Sequence, residues 1–410
     1  MQAANAFTHD VVIVGGGLAG ASLAVALAPT GLRIAVVEAM PWQVDSHPSY
    51  DDRTVALALG SQRILAAMGV WPHMASGVCP IEAIHVSDAG HVGAAHLAAV
   101  QMQVEALGFV AEVRALGAAL YAALTTAPNI QLYCPAALTA LTQDSDGVTA
   151  TIRDALGTQS LRAPLLVGAD GGRSQVRAFI GVETQNKPYS QVAIVSTVTP
   201  TSPHRNIAYE RFTADGPLAF LPMTDNRCAV VWSTPSAQVE ARLALADADF
   251  LAQLEHGLGG RLGALTRLGR RAHYPLARLQ VQDAARGRTV LVGNAAHTVH
   301  PVAGQGFNLG LRDVAVLAEM LADAARAGAD VGAPELLARY AARRRRDHVA
   351  VGAFTDGLIR LFSNRSGALV FARNIGLLAV EASPWAKRAL MRRTMGLSGD
   401  LPRLARGMGL

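Results

Sequence analysis

Residues 10–38 read DVVIVGGGLAGASLAVALAPTGLRIAVVE, and this stretch decides the fold. The apolar, mostly β-branched residues 11–14 predict a strand that is covered on both faces, as in a parallel sheet. Residues 18–28 are rich in alanine and leucine and predict a helix, and residues 33–37 predict a second buried strand that ends at Glu38. The stretch therefore predicts one βαβ unit.

The turn between the first strand and the helix carries the pattern G-x-G-x-x-G at Gly15, Gly17 and Gly20. Gly15 permits the tight turn, Gly17 lets backbone N–H groups approach a pyrophosphate, and Gly20 lets the helix pack closely. Leu18 and Ala19 begin the helix, whose N-terminus favours negative charge, so both belong to the predicted cofactor-binding set.

Glu38 stands where a carboxylate accepts hydrogen bonds from the adenosine ribose. A carboxylate there repels a 2′-phosphate, so the motif predicts FAD or NAD rather than NADP. The alternative reading of the glycines is a tight turn without a ligand.

A second glycine turn follows the predicted strand 165–167 and contains Asp170 and Arg173. Asp170 is predicted to bond ribose hydroxyls, and Arg173 or Arg177 to lie near phosphate. Read alone, the segment is equally consistent with an ordinary β-turn.

A third turn follows the predicted strand 289–292 and favours a flavin. Gly293-Asn294 leads into a loop that opens a helix and contains His300, Pro301, Gly304, Gln305, Gly306, Phe307 and Asn308. Such a loop directs N–H groups and the positive end of a helix dipole at one point. This arrangement suits the negative charge of a reduced flavin, to which a helix N-terminus contributes about 0.3–1 kcal/mol.

Composition excludes several classes of protein. A chain of 410 residues with 51% hydrophobic and 16% charged residues predicts two or three well-packed domains, not a disordered or acidic-tail protein. The net charge of +5 is thinly spread, apart from Arg343 to Arg346, and gives little support for nucleic-acid binding. We interpret that arginine run as a solvated helix face, with an inter-subunit patch of a homo-oligomer as the alternative.

Cysteine usage and hydropathy bear on location. Cys79, Cys134 and Cys228 lack paired spacing, which predicts neither disulfides nor a metal site and favours the reducing cytoplasm. The uncharged stretch 11–32 is broken by glycines and has no preceding Lys or Arg, so it predicts neither a membrane span nor a signal peptide. The basic and apolar stretch 385–395 suggests peripheral contact with anionic lipid or a partner protein, or else a solvated helix.

The rest of the chain predicts an α/β protein. The predicted parts are a Rossmann-like FAD-binding domain with a parallel sheet, an inserted antiparallel-sheet substrate domain and a helical C-terminus. The strand-like segments 191–200 and 208–234 belong to the insertion, and the chain is mostly helical from Gly306. The predicted ranges are 1–78, 103–178 and 272–352 for the FAD-binding domain, 79–102 and 179–271 for the substrate domain, and 353–410 for the C-terminal helical segment.

Taken together, these motifs resemble the flavin-dependent aromatic hydroxylases of ubiquinone biosynthesis, within the fold group of para-hydroxybenzoate hydroxylase. The segments that carry the resemblance are Gly15–Glu38, Asp52-Arg53 with Ala56-Leu57, Gly168–Arg177, Tyr274–Leu276, Gly293–Asp313 and Thr355–Asn364. Within the family, the branch that hydroxylates 2-polyprenyl-6-methoxyphenol is the most similar, through His85–His91, Glu210–Phe212, Gly216–Leu218 and Leu221–Met223. Asn294 departs from the Asp that many relatives have there, but an amide can still bond the ribityl chain of FAD.

The resemblance implies an FAD-dependent monooxygenase with NAD(P)H as electron donor. It implies that a flavin hydroperoxide, formed from dioxygen, hydroxylates a polyprenylated phenol at the carbon para to the hydroxyl. It further implies that Arg53 contacts the adenine side of FAD and that Arg114 faces the pyrophosphate. Surface roles for both arginines, Arg53 with Asp51 or Asp52, are the alternatives.

The predicted catalytic residues come from the third turn and are His300, Pro301, Gly304 and Gln305. His297 and His300 are candidates for proton relay, because histidine titrates near neutral pH. Aromatic and apolar residues on the predicted insertion could line a slot for the ring or form core instead; they are Tyr209, Phe212, Phe220 and Met223.

The sequence leaves alternative functions open. They are a hydroxylase of another ring position, a flavin-dependent prenyl reductase, and a non-catalytic assembly subunit. An insoluble polyprenyl substrate also requires an apolar entrance or a carrier, so other ubiquinone-biosynthesis proteins are candidate partners.

Overall fold

The computed structural model describes residues 6–42, 53–362 and 366–410. Asp51, Asp52, Ser363 and Asn364, which the sequence comparison used, lie outside these described residues. Strands and helices are numbered below in chain order.

The predicted βαβ unit forms the centre of a mainly parallel sheet. Its strands are β1 (Val11–Val14), β2 (Ile34–Val37), β8 (Ile130–Tyr133), β12 (Leu165–Gly168), β19 (Ala285–Arg286) and β20 (Thr289–Leu291), in the order β19-β20-β12-β1-β2-β8. β1 pairs in parallel with both β2 and β12, and β12 pairs in parallel with β20. The three glycine turns therefore follow neighbouring strands and meet at one edge of the sheet, where α/β proteins bind ligands.

A larger, mostly antiparallel sheet forms the inserted part. Its strands are β5 (Ala83–Asp88), β6 (Ala94–Ala98), β13 (Thr184–Pro200), β14 (Ile207–Thr213), β15 (Gly216–Pro222), β16 (Cys228–Pro235), β17 (Leu265–Leu268), β18 (Ala272–Val281) and β21 (His297–Thr298). β18 pairs with β13 over most of its length, so residues 272–281 lie in this sheet. The predicted boundary at residue 272 had placed them in the FAD-binding part.

Smaller sheets flank the parallel sheet. One contains β3 (Thr54–Ala58), β4 (Val78–Ile81) and β7 (Gly108–Glu112), and the other contains β9 (Ala137–Gln143), β10 (Val148–Asp154) and β11 (Gly157–Ala163).

The helices include a long C-terminal series, which confirms the prediction that the chain is helical from about Gly306. They are α1 (Leu18–Leu27), α2 (Leu59–Ala67), α3 (Val113–Thr126), α4 (Gln175–Phe179), α5 (Val239–Leu243), α6 (Asp247–Leu258), α7 (Gln305–Arg326), α8 (Pro334–Phe362), α9 (Gly367–Ala382) and α10 (Pro384–Thr394). None of the helices in the described part of the chain combines the length and apolar character needed to cross a membrane.

Separate hydrophobic cores hold the sheets. The core of the parallel sheet includes strands β1, β2 and β12 with helices α1 and α7. Another core lies between the large sheet and α6, and it contains Phe220, which is completely buried. Of the two roles that the sequence leaves open for Phe220, the structure therefore supports the core role, because its side chain points to the α6 side. The predicted α/β fold class, with its inserted antiparallel sheet and helical C-terminus, is confirmed.

Candidate active site

A cavity of about 1810 Å³ lies between the ends of the parallel strands, the large sheet and helices α8 to α10. Pockets for drug-sized ligands measure about 300–1,000 Å³, so this one has room for a dinucleotide and a second molecule. Most of the predicted cofactor-binding residues line it: Gly15, Gly17, Leu18, Ala19, Glu38, Arg53, Arg114, Asp170, Asn294, Gly304, Gly306, Phe307 and Asn308.

The first turn requires glycine for reasons of space. Gly15 has a φ of +102°, and a Cβ there would lie 2.5 Å from the carbonyl oxygen of Ala169. A Cβ on Gly20 would lie 1.9 Å from the carbonyl oxygen of Gly15. Gly20 is not part of the cavity wall, which fits its predicted packing role, and Gly17 caps α1 beside the cavity.

Glu38 is buried at the end of β2 and is held in place by the backbone. Its carboxylate accepts hydrogen bonds from the N–H groups of Gly16, at 2.7 Å, and Met40, at 2.8 Å. These contacts fix the carboxylate at the cavity wall, where the motif predicts the ribose hydroxyls.

Asp170 lines the cavity but has a structural role that the sequence did not predict. Its carboxylate accepts hydrogen bonds from the hydroxyl of Ser174, at 2.5 Å, and from the N–H groups of Gln175 and Val176. It therefore organises the start of α4, and a ribose contact stays a prediction. Arg177 donates to the carbonyls of Ala295 and Gly172 and ties two glycine turns together, whereas Arg173 lines the cavity. A contact between Arg173 and phosphate stays a prediction.

Arg53 and Arg114 reach the cavity from different elements. Arg53 precedes β3, and its guanidinium lies 4.9 Å from the centroid of the Tyr274 ring. Arg114 stands in the first turn of α3. Both belong to the wall, which supports the predicted contacts with the adenine side and the pyrophosphate.

The loop that begins α7 has a strained, well-anchored backbone. Ala303 and Gly304 are both left-handed, with φ of +60° and +61°. The amide of Asn308 accepts from the N–H of Ala58 and donates to the carbonyls of Ala56 and Gly304, each at 2.7–2.8 Å. These bonds fix the loop against β3. A non-glycine residue persists at a positive φ only where surrounding structure enforces it, which is typical of functional sites.

The predicted catalytic residues separate into two groups. Pro301, Gly304 and Gln305 line the cavity, whereas His300 does not. His300 is only 1% exposed, its Nδ1 accepts the N–H of Val302, and burial lowers its pKa to about 4. The His300 ring thus lies behind the cavity wall. The structure does not support a contact between His300 and the substrate.

His297 is likewise buried, in a cluster that the sequence analysis missed. The Asp313 carboxylate interacts with Nε2 of His297 and Nε2 of His348, both at 2.7 Å, and accepts Nε–H of Arg344 at 2.6 Å. Burial alone would raise the pKa of Asp313, but His348, His297 and Arg344 hold it well below its usual range. Asp313 also accepts the N–H of Gly293, so the cluster supports the third turn from behind.

The same cluster corrects the interpretation of the arginine run. Arg344 is 4% exposed and pairs with Asp313, and Arg343 pairs with Glu319 and Asp400, so only Arg345 and Arg346 are exposed. His297, Asp313 and His348 bring potential metal-ligand atoms within 4.8 Å of one another. Because the guanidinium of Arg344 already contacts Asp313, the positive charge that a metal ion would supply is present without one.

The far end of the cavity is apolar. Phe212 and Met223 line it, and Phe212 stacks on Phe362 of α8 with ring centroids 3.6 Å apart. Tyr209 belongs to the cavity lining and also packs against the α6 core. Sequence reasoning missed the contributions of α8 and α9, including Phe354 and Leu377, and the acidic group of Glu210 in this wall.

The donor set and the free space of the wall fit FAD. Gly306 lines the cavity, and a Cβ there would meet no protein atom within 4 Å, so this glycine leaves space for a ligand rather than for packing. Asn294 is exposed to the cavity, with an amide able to bond a ribityl hydroxyl. One end of the cavity wall thus provides the glycine turn predicted to bind pyrophosphate and the Glu38 carboxylate. The other end provides the start of α7.

Comparison with known proteins also indicates an FAD-binding protein. Residues 8–355 match the model of an FAD-binding domain family. The chain is 45% identical over 407 residues to a ubiquinone hydroxylase, UbiL, of Rhodospirillum rubrum, covering 98% of this chain and 93% of that protein. It is 33% identical over 394 residues to the 3-demethoxyubiquinol 3-hydroxylase of Escherichia coli, covering 95% and 98%. The crystal structure of p-nitrophenol 4-monooxygenase from Pseudomonas putida superposes with a TM-score of 0.80 at 22% identity, covering 95% and 98%, and shows the shared fold.

Proposed function

Because the chain belongs to the family of FAD-dependent hydroxylases of ubiquinone biosynthesis, we propose that it hydroxylates a polyprenylated phenol, 2-polyprenyl-6-methoxyphenol, at the carbon para to the hydroxyl. The observation that carries this proposal is the cavity of about 1810 Å³, which joins the glycine turns to an apolar chamber. The para position depends on the sequence segments shared with that branch of the family.

FAD supplies the redox chemistry with dioxygen, and NAD(P)H is the electron donor that such monooxygenases use. The residues of this chain bind the cofactor, orient the phenol ring and exclude water. The turn at Gly15 and the Glu38 carboxylate hold the nucleotide half. N–H groups of the loop that begins α7 would hold the isoalloxazine end and would favour negative charge there. Phe212, Phe362 and Met223 hold the phenol ring in an apolar chamber from which water is excluded.

Hydroxylation at another ring position is the second candidate. It is favoured by the 33% identity to a protein named as a 3-hydroxylase. The named relatives are hydroxylases, which argues against the prenyl reductase alternative. The described wall also keeps the cofactor motifs intact, which argues against a non-catalytic assembly subunit.

A gene deletion followed by mass spectrometry of the accumulated quinone precursor separates the ring positions. Accumulation of 2-polyprenyl-6-methoxyphenol supports the para assignment, and accumulation of a more oxidised demethoxy precursor contradicts it. In vitro, purified protein with FAD, NAD(P)H and dioxygen should convert the first compound to its hydroquinone. Oxygen uptake without a hydroxylated product would contradict hydroxylation of that compound.

A cytoplasmic enzyme with a polyprenyl substrate also needs access to a bilayer, and the C-terminal helices provide a suitable surface. Phe371 and Ile375 of α9 and Trp385 of α10 are 70%, 50% and 79% exposed. Arg388 and Arg392 are exposed beside them, a combination that favours anionic lipid. Leu377 and Val380 of α9 line the cavity, so this surface adjoins the apolar chamber.

Co-sedimentation with vesicles tests this peripheral contact. Binding should be stronger to vesicles containing phosphatidylglycerol than to pure phosphatidylcholine, and Phe371→Ser with Trp385→Ser should abolish it. Equal sedimentation of the variant would place the contact elsewhere. Retained binding to another ubiquinone-biosynthesis protein without vesicle binding would indicate a protein partner instead.

A further inference from the structure

The carboxyl group of Glu210 lies on the apolar face of the large sheet that forms one wall of the cavity. The register of β14 places Ala219 of β15 and Val86 of β5 opposite Glu210. Ala208 and Phe212 share its face of β14, because alternate residues of a strand point the same way. All four of these neighbours are apolar and line the same cavity.

Charged groups near this strand are engaged elsewhere. Asp88 of β5 pairs with Arg373 at 2.8 Å, and Asp356 of α8 pairs with Arg278 at 2.7 Å. Arg211 points to the opposite face of the sheet, toward Gly259 at the end of α6, and His85 contacts Tyr209 on that same side. His300, behind the loop, is buried with its pKa lowered to about 4. β15 contains no titratable side chain.

Glu210 itself has no ion-pair partner among the residues that the structure describes. The nearby backbone N–H of Ala303, in the left-handed pair that precedes α7, favours the charged carboxylate and acts to lower its pKa. Burial raises the pKa of Glu210 to about 7 despite this N–H. A carboxyl without a counter-ion is costly in an apolar wall, so packing alone does not explain an acid at this position.

We propose that Glu210 accepts the hydrogen bond of the substrate's ring hydroxyl and takes its proton during hydroxylation. The inference rests on the proposed function, because it requires a phenolic substrate. Glu210 touches the same chamber as Phe212 and Met223, and its Ala303 contact places it beside the loop expected to face the flavin ring.

The proton moves from the substrate phenol to the Glu210 carboxylate, and no other reactant is needed. The phenol O–H bond breaks, an O–H bond forms on the Glu210 carboxylate, and the electron pair of the broken bond stays on the ring oxygen. The resulting phenolate is more electron-rich at the para carbon and more reactive toward an electrophilic oxygen. A base poised near neutral pH is the efficient choice for such a step, and general base catalysis typically contributes about 10²–10⁴ in rate.

Ligand binding without turnover tests the hydrogen bond directly. The probes are 2-geranylphenol and its O-methyl ether, in which a methyl group replaces the one proton that Glu210 would accept. Their affinities for the FAD-loaded protein, without reductant, are measured by flavin fluorescence. At pH 8 the wild-type protein should prefer the phenol by about 10-fold or more, as expected for a hydrogen bond to a charged acceptor, and the preference should shrink at pH 6.

Glu210→Gln should reduce the preference for the phenol several-fold and remove its pH dependence, and Glu210→Asp should restore part of it. Glu105→Gln, at an exposed position outside the cavity, is the matched control and should behave as wild type. Retained FAD content and circular dichroism show that each variant is folded.

Turnover gives a second readout. Glu210→Gln should lower kcat by about 10²-fold or more with a smaller change in KM, and should remove the limb of the pH–rate profile near 7. Wild type that binds phenol and ether equally, or a Gln variant that keeps both preference and pH limb, overturns the role of Glu210 and leaves the proposed function standing. Wild type that binds neither probe and hydroxylates no prenylated phenol overturns the proposed function and this inference with it.

Discussion

The two ends of the cavity differ in how the chain builds them. The centre of the nucleotide end is contiguous, because the strand, the glycines, the helix and Glu38 all come from residues 11–38, while Arg53, Arg114 and Asp170 complete its wall from other elements. The ring end is assembled from the large sheet, the start of α7 and helices α8 and α9. A contiguous site can be recognised from spacing, whereas an assembled site becomes visible only when the chain is folded.

The largest effect should come from the buried cluster behind the assembled end. Asp313→Asn leaves Arg344 buried without its main counter-charge, which should cost about 3–5 kcal/mol of unfolding free energy. Urea denaturation measures the loss. Asp323→Asn is the matched control on the same helix, since its exposed pairs with Arg326 and Arg403 should be worth less than about 1 kcal/mol. Similar losses for both variants would show that the Asp313 cluster does not stabilise the fold.

A substitution at the contiguous end should cost less unfolding free energy, but it should also impair FAD binding. Gly20→Ala forces α1 away from Gly15, because the added Cβ would lie 1.9 Å from the Gly15 carbonyl oxygen. Overpacking of this kind typically costs about 1–3 kcal/mol, and the displaced turn should also lose FAD. Flavin content and thermal unfolding are measured beside Gly77→Ala, where a Cβ meets nothing within 4 Å. Normal FAD binding by Gly20→Ala would contradict the assigned packing role.

The contrast between the contiguous and the assembled end explains which parts of the structure the sequence predicts. It predicts β1, α1, β2 and the glycine turns within a residue or two, because buried β-branched runs and glycine spacing are local signals. It missed the Asp313–Arg344 pair, which joins residues 31 positions apart on different helices. It did not predict that Ser174 and the start of α4 use the oxygens of Asp170, since spacing does not reveal such contacts. The ribose contact of Asp170 stays a prediction.

A smaller effect is expected at Glu38. Glu38→Gln keeps the shape but replaces charged hydrogen bonds by neutral ones, which should weaken FAD binding by about 10-fold. Titration of the FAD-free protein with FAD measures the change, with the exposed Glu335→Gln as control. An unchanged affinity of Glu38→Gln for FAD would contradict the predicted contact between Glu38 and the ribose.

The smallest effect concerns stability at Glu210. Its pKa is about 7 in the folded protein against a usual 4.5, so the folded state holds a proton that the unfolded state releases. Stability should therefore fall as pH rises from about 4.5 through 7, and the full cost should be present at pH 8. Glu210→Gln should raise Tm by about 1–3 °C at pH 8 and change it little at pH 5. A lower Tm for the variant at pH 8 would mean that a favourable interaction stabilises the Glu210 carboxylate in the folded protein.

The flavin content of the purified protein shows whether the cavity holds FAD. We expect a yellow protein from which about one equivalent of FAD per chain is released on denaturation and rebinds to the FAD-free chain, with binding impaired in Gly20→Ala. A correctly folded protein that is colourless and takes up no added FAD would contradict the account at both ends of the cavity.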